Sequence, residues 1–321
     1  MRRICLAAGI LAVSYLARGE SLVFPGGKGP GAGKHVVLIA GDQEYRSEES
    51  IPALAKILAT RHGFKCTVLF STNKQTGAID PATIDNIPGL EALRTADLMV
   101  LFARWLELPD EQMKEIVDYS SSGRPIVGLR TSTHPFNYRV HLDSPYAKYS
   151  YNSKELEGGF GRQVMGETWI NHWGAHQKQS TRGVVSPGME KHPILKGVKD
   201  VWGPSDVYEI KALSGDSKPL LMGQVLNGMT ADAAPDTSKR MMPIAWVKTY
   251  KSARIFDTTM GHAGDFQNEG FRRMMVNACY WSVGLEKKIS EKSSVELAGT
   301  YSPNDIGNNK QKKDLKISDW Q

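Results

Sequence analysis

The sequence predicts an α/β protein built on a doubly wound parallel sheet with a long irregular insertion. Three observations carry this. Four strand-length runs are almost wholly apolar: HVVLIA at 35–40, CTVLF at 66–70, LMVLF at 98–102 and PIVGL at 125–129. Strands buried on both faces read this way. Helical spacing separates several of them, the alternation expected of a parallel sheet with crossover helices. From about 131 to 190 the periodicity is lost, and long irregular stretches inside a compact domain tend to be functional loops.

In chain order, residues 20–33 read as a Gly/Pro-rich linker. The segment PGGKGPGAGK at 25–34 resembles a phosphate loop only superficially. A P-loop needs Gly at position 28, Ser or Thr after Lys34, and a preceding strand. Here position 28 is Lys, His35 follows, and the strand comes afterwards. After the first strand, GDQEYRSEE forms a polar loop, and Ile51, Leu54, Ala55 and Leu58 recur at helical spacing. Glu48 and Glu49 suit the first helical turn, and His62-Gly63 closes the helix. Pro109 to Tyr119 carries Met113, Ile116 and Val117 on one helical face, ending at Ser122-Gly123. Strand patterns return at 220–222, 244–247 and 254–258. Met274, Met275, Ala278 and Trp281 mark a closing helix that ends at Gly284. Residues 289–321 read as a polar, solvated tail, and no internal repeat is found.

The amino terminus has the three parts of a secretory signal: Arg2-Arg3, an apolar stretch from Ile4 to Leu16, and small residues at Ala17 and Gly19. The expectation is cleavage after Gly19, a periplasmic or extracellular location, and no stable membrane insertion afterwards, leaving a domain over 34–288. The chain of 321 residues carries a net charge of +6. Losing Arg2, Arg3 and Arg18 reduces it to +3, too little to argue for nucleic acid. Cys66 and Cys279 would remain, either pairing in an oxidising compartment or staying as buried thiols.

Ligands of open parallel sheets bind beyond the carboxyl ends of the strands. That rule selects Asp42, Glu44, Tyr45 and Arg46 after the first strand, and Arg104 and Trp105 after the third. Arg130 and His134 follow the fourth, and His262 and Asp265 a late one. Carboxylates, guanidinium groups, imidazoles and an indole together suit a polyhydroxylated ligand. In NHWGAH, His172 and His176 stand four residues apart and can present imidazoles to one divalent ion, zinc or similar. His134 or His262 would be a third ligand. The segment lacks the glutamate of H-E-x-x-H, so two loop histidines bonding backbone or substrate remain the other reading. His172, His176, His134 and Glu44 are the acid/base candidates. Asp42, Tyr45, Arg46, Arg104, Trp105, Arg130, Trp173 and His262 are the substrate-binding candidates. No dinucleotide fingerprint follows a strand, so neither NAD nor flavin is expected.

The segments GDQEYRSEES, HWGAH, HPILKGV (192–198), NGM, MMPIAW and TTMGHAGDFQNEGFRRMMVNACYW (258–281) resemble the trehalose-utilisation (ThuA-like) family, closest to its exported versions, over roughly residues 34–288. The resemblance implies a flavodoxin-like fold similar to class I glutamine amidotransferases. Those enzymes carry a nucleophilic Cys at a sharp strand-to-helix turn. The corresponding turn, Leu129 to His134, has none, so glutamine amidotransferase activity is not expected. The resemblance also implies metabolism of trehalose or related disaccharides through 3-keto sugars made by a partner sugar 3-dehydrogenase. The expected chemistry is proton abstraction next to a carbonyl, leading to isomerisation, elimination or hydrolysis. The alternative is a non-catalytic carbohydrate-binding protein using the same pocket, with Trp105, Trp169 or Trp173 stacking on a sugar.

Overall fold

The structure is a computed structural model and describes residues 21–320. The export signal expected at 1–19 lies outside them. Among the described residues no helix is long and apolar enough to cross a membrane.

The first half of the chain runs β1 (Leu22–Phe24), β2 (His35–Gly41), α1 (Ser47–His62), β3 (Lys65–Phe70), β4 (Leu98–Ala103), α2 (Asp110–Ser121) and β5 (Ile126–Leu129). The second half adds β6 (Asn171–His172), β7 (Ser180–Val185), β8 (Trp202–Gly203), β9 (Tyr208–Glu209), β10 (Lys218–Leu226), β11 (Met242–Tyr250), β12 (Ala253–Thr258) and α3 (Glu269–Ser282). Ten strands form one sheet in the order β1-β3-β2-β4-β5-β12-β11-β10-β7-β8. The run from β3 to β12 is parallel. Beyond it the sheet continues antiparallel.

Alternation along the central strands explains their unbroken apolar runs. Val36, Leu38 and Ala40 enter one core with Leu98, Val100 and Phe102, under α1 and α3. Val37 and Ile39 enter the other with Met99 and Leu101, under α2. Each strand therefore needs apolar side chains at both parities. At the end of α1, Gly63 takes φ 81° and its N–H returns to the Ala59 carbonyl, the left-handed helix stop predicted there.

Two segments differ from the sequence expectation. Residues 21–33 are not a free linker: Leu22 to Phe24 pair antiparallel with Val68 to Cys66. The Gly31 N–H also donates to the His62 carbonyl at 2.8 Å. Nor is the polar carboxyl-terminal segment a solvated tail. Ile289, Val295, Ile306 and Leu315 are buried in the core shared by α1 and α3. Their irregular spacing in polar surroundings produces no periodic signal. This strap crosses the start of α1, where the Asn304 N–H donates to Glu49 Oε2 at 2.9 Å and the Gly307 N–H to the Glu44 carbonyl at 2.9 Å.

Cys66 and Cys279 are both buried free thiols. One glycine is held by close approach. A methyl group at Gly128 would lie 2.6 Å from both Met165 Cε and Ser132 Oγ, and closer still to an Asp257 oxygen. We expect Gly128→Ala to cost about 1–3 kcal/mol, the range for overpacking. Urea unfolding measures it, and a wild-type midpoint would show that this layer has slack.

Candidate functional site

The parallel strands aim their carboxyl ends at one surface, and the loops there carry most of the chemistry. Arg46, Trp105 and Arg130 stand in the loops beyond β2, β4 and β5, and all three take positive φ, 63°, 50° and 46°. Such backbone is costly for a non-glycine residue and clusters where side-chain direction matters. Arg130 occupies the first position after β5, in the Leu129–His134 turn that the family resemblance set against the cysteine-bearing turn of the amidotransferases.

Arg130 is fully buried and points at Asp206. Its Nη2 donates to Asp206 Oδ1 at 2.9 Å, and its Nη1 to the carbonyls of Asp206 (2.7 Å) and Thr259 (2.6 Å). The rings of Tyr45 and Tyr208 cover its two sides, 4.3 and 3.7 Å from the guanidinium carbon. Asp206 then holds both candidate histidines. His172 Nδ1 lies 2.7 Å from Oδ2, and His176 Nδ1 3.0 Å from Oδ1. His176 Nε2 faces Glu44 Oε1 at 3.5 Å. Arg104 Nη2 closes the chain on Glu44 Oε2 at 2.9 Å and stacks its guanidinium 3.8 Å from the Trp105 ring centroid. The ion-paired floor is buried, while the His172 and His176 side chains are 31% and 24% exposed. The imidazoles are thus the accessible face of a buried charge cluster.

A two-strand pairing assembles this. β6 and β9 register Asn171 with Glu209 and His172 with Tyr208. The N–H groups of Trp173 and Gly174 both donate to the Val207 carbonyl. Asp206 is thereby set beside both imidazoles.

The electrostatics follow. Burial pushes the Asp206 carboxyl up, but Arg130 and the two imidazoles outweigh it and hold it well below the usual range. Asp206 and Glu44 raise His176 to about 9 against the cost of burial. Glu44 is itself lowered: burial raises it, and His176 and Arg104 together prevail. His134 is pushed well below 6.5 by burial and the nearby arginines, so it is neutral.

Other candidates are placed differently. Asp42 is committed to the loop: its Oδ1 accepts from the Glu44 and Tyr45 N–H groups and its Oδ2 from Thr131. Arg46 precedes α1 and donates to the carbonyls of Gln43 and Gly307 at 2.8 Å. Both are fully buried, so they shape the loop. Trp173 donates its indole N–H to the Arg240 carbonyl, with its ring beside Lys239 and Arg240. His262 caps the Ala263–Gln267 turn. His134 sits beside the imidazole pair, bonded to Thr133 Oγ1 and 5.1 Å from the Trp169 ring. Among the described residues, the group able to share one ion is His172, His176 and Asp206, with ligand atoms within 4.8 Å of one another. His134 is not in it.

Sequence reasoning missed Asp206 and Tyr208, which follow no strand of the parallel core. It named Trp169 only as a stacking candidate. The indole N–H groups of Trp105 and Trp169 are buried without a partner, two donors available to a ligand at this mouth. A cavity of about 790 Å³ lies elsewhere, between the Thr72–Ala78 loop and Lys316–Ser318. It gathers no comparable set of titratable groups, so the chemistry rather than the volume locates the site.

The geometry defines an α/β protein with an imidazole–carboxylate cluster beyond its parallel strands. The family model for ThuA, trehalose utilisation, matches residues 35–282, and the chain belongs to that family. Among solved structures, it is similar to a ThuA-like protein from Parabacteroides merdae at 15% identity and a TM-score of 0.50, covering 88% of this chain and 99% of that one. A ThuA-like protein from Bacteroides uniformis is similar at 16% identity and 0.50, covering 82% and 96%. At such identities the likeness shows the fold alone, an α/β domain on a largely parallel sheet. No curated protein matches the chain in sequence.

Proposed function

We propose that this ThuA-family protein is an enzyme of disaccharide metabolism that removes a proton next to the carbonyl of a 3-keto glycoside. One observation carries the reading: His172 and His176 share the buried carboxylate of Asp206, yet face different surroundings.

His172 donates Nδ1–H to Asp206, which fixes the tautomer and leaves the Nε2 lone pair as a base. His176 is set between two carboxylates and stays an imidazolium through neutral pH. In the proposed step, His172 Nε2 takes the proton from the carbon beside the carbonyl. The C–H electron pair moves into the new C=C bond, and the carbonyl oxygen gains the negative charge. The His176 imidazolium and the Arg104 guanidinium stabilise that charge. Reprotonation at the other carbon gives isomerisation. Expulsion of the glycosidic oxygen gives elimination, and later addition of water gives net hydrolysis. The family's description supports the carbohydrate class. In this reading the carbonyl is supplied by a sugar 3-dehydrogenase acting earlier in the same pathway.

A divalent ion is a second reading, favoured by the ligand types of His172, His176 and Asp206. Against it, both Asp206 oxygens are already engaged, and the Arg130 cation lies 2.9 Å from one of them. That field suits an imidazolium or an oxyanion better than a dication. No step is therefore assigned to a metal.

The test is to follow 3-keto-trehalose with the purified protein by NMR, with and without EDTA. Product formation that survives EDTA supports the reading. Binding without turnover would favour the carbohydrate-binding alternative instead.

The pH profile has a definite sign. His176 is raised to about 9, so its stabilising charge is fully present below 6.5 and is lost as pH rises through about 9. Turnover is expected to fall across that upper limb. In His176→Gln the limb near 9 should vanish at a lower plateau rate, and its persistence would assign it to another group. On the amino-terminal pattern we also place the protein outside the cytoplasm, checked by whether the exported form begins at Glu20.

A further inference from the structure

A second cavity, of about 340 Å³, lies beside the acid/base cluster and is unused by the proposed step. One wall is Gln177, the neighbour of His176. Another is the carboxyl-terminal strap at Asn304. His262 and Gln267 come from the turn before α3, and Met229 from the loop after β10. Its volume falls within the range of small-molecule sites.

His262 is 5% exposed. The Gly264 N–H donates to its Nδ1 at 3.2 Å, so the ring proton sits on Nε2. That Nε2–H is buried and makes no well-formed hydrogen bond, facing only the Asn304 backbone in poor geometry, so a ligand oxygen in the cavity would be a better acceptor for it. Burial and Arg130 push His262 down to about 3, so the ring is uncharged. Gln177 takes φ 58°, and its side-chain amide nitrogen reaches within 3.2 Å of His176 Nε2. A residue of strained backbone thus borders both the cavity and the imidazole pair.

The lining decides the ligand class. Gln177, Gln267, Asn304 and His262 offer uncharged donors and acceptors, and Met229 offers an apolar face. Asp305 and Lys310 contribute one charge of each sign, leaving no net charge. A phosphorylated or carboxylated ligand would find no excess of positive charge here. A ring with hydroxyl edges and a C–H face matches.

We propose that this cavity is a subsite for the second, uncharged sugar ring of a disaccharide whose first ring lies at His172 and His176. The inference rests on the proposed carbohydrate chemistry but is tested without turnover. Isothermal titration with trehalose and with methyl α-glucoside, neither of them oxidised, measures the contribution of the second ring. Trehalose is expected to bind at least tenfold more tightly. Met229→Trp, at a half-buried loop position, should fill the cavity and remove that preference while leaving methyl α-glucoside binding unchanged. Gln267→Ala should reduce the preference several-fold, and thermal melting checks that both variants fold. Equal binding of the two sugars, no binding of either, or a preference that survives Met229→Trp would overturn the subsite. Turnover of a 3-keto methyl glucoside, measured in parallel, reports on the catalytic reading separately. Turnover without the preference fails only the subsite, and the preference without turnover fails only the chemistry.

Discussion

Asp206→Ala is expected to destabilise the protein by about 3–5 kcal/mol, the cost of leaving a buried charge without its partner. Asp206 and Arg130 are both fully buried in their ion pair. Without the carboxylate, Arg130 would keep only the backbone carbonyls of residue 206 and Thr259. A loss of this size corresponds to a fall in Tm on the order of 10 °C. The double variant Asp206→Ala with Arg130→Met removes both charges, so it should be more stable than the single. Chemical denaturation of the two single variants and the double measures the coupling directly. An Asp206→Ala protein within 1 kcal/mol of wild type would mean that the pair does not organise the site.

The second large effect is on rate. His172→Ala should lower turnover of the 3-keto substrate by about 10²–10⁴-fold, the range for a positioned general base. Stability should fall by about 1.5–3 kcal/mol, the range for a hydrogen bond to a charged group, because Asp206 loses its 2.7 Å bond to His172 but keeps Arg130 and His176. His176→Ala should also abolish most activity, by a different route: it removes a cation rather than a base. The two are distinguishable because only His176 sets the limb near 9. Wild-type rates in both variants would remove the imidazole pair from the mechanism.

The parallel core was legible because physics leaves it little freedom. A strand covered on both faces needs apolar residues at both parities, and β2, β4 and β5 have them. The antiparallel extension was harder to read. β10 and β11 show strand composition, yet the β11–β12 hairpin turns on Lys251 and Ser252, both at positive φ. Neither is the Asn or Gly that usually marks such a turn. β6, β8 and β9 are two residues long, below any periodicity. The strap at 289–320 anchors itself through widely spaced residues such as Val295 and Leu315, each alone among polar neighbours.

The same division holds for the site. Glu44, Arg104, Trp105 and Arg130 follow strands of the parallel core, and the strand-end rule finds them. It also selects Asp42 and Arg46, whose side chains are spent on the loop backbone. His172 and His176 declared themselves by spacing. Asp206 has no such signal: it precedes a two-residue strand and meets the histidines only through the β6–β9 pairing. Its loop shows none of the strand-end or spacing signals, although it supplies the group on which both imidazoles depend.

The most direct measurement is solvent deuterium exchange. 3-Keto-trehalose is incubated in D2O with wild-type protein or with His172→Ala, and the proton on the carbon beside the carbonyl is followed by NMR. The account predicts enzyme-dependent loss or exchange of that proton with wild type and a return to the uncatalysed rate in His172→Ala. Product formation with that proton fully retained would contradict proton abstraction, as would equal exchange in the two proteins.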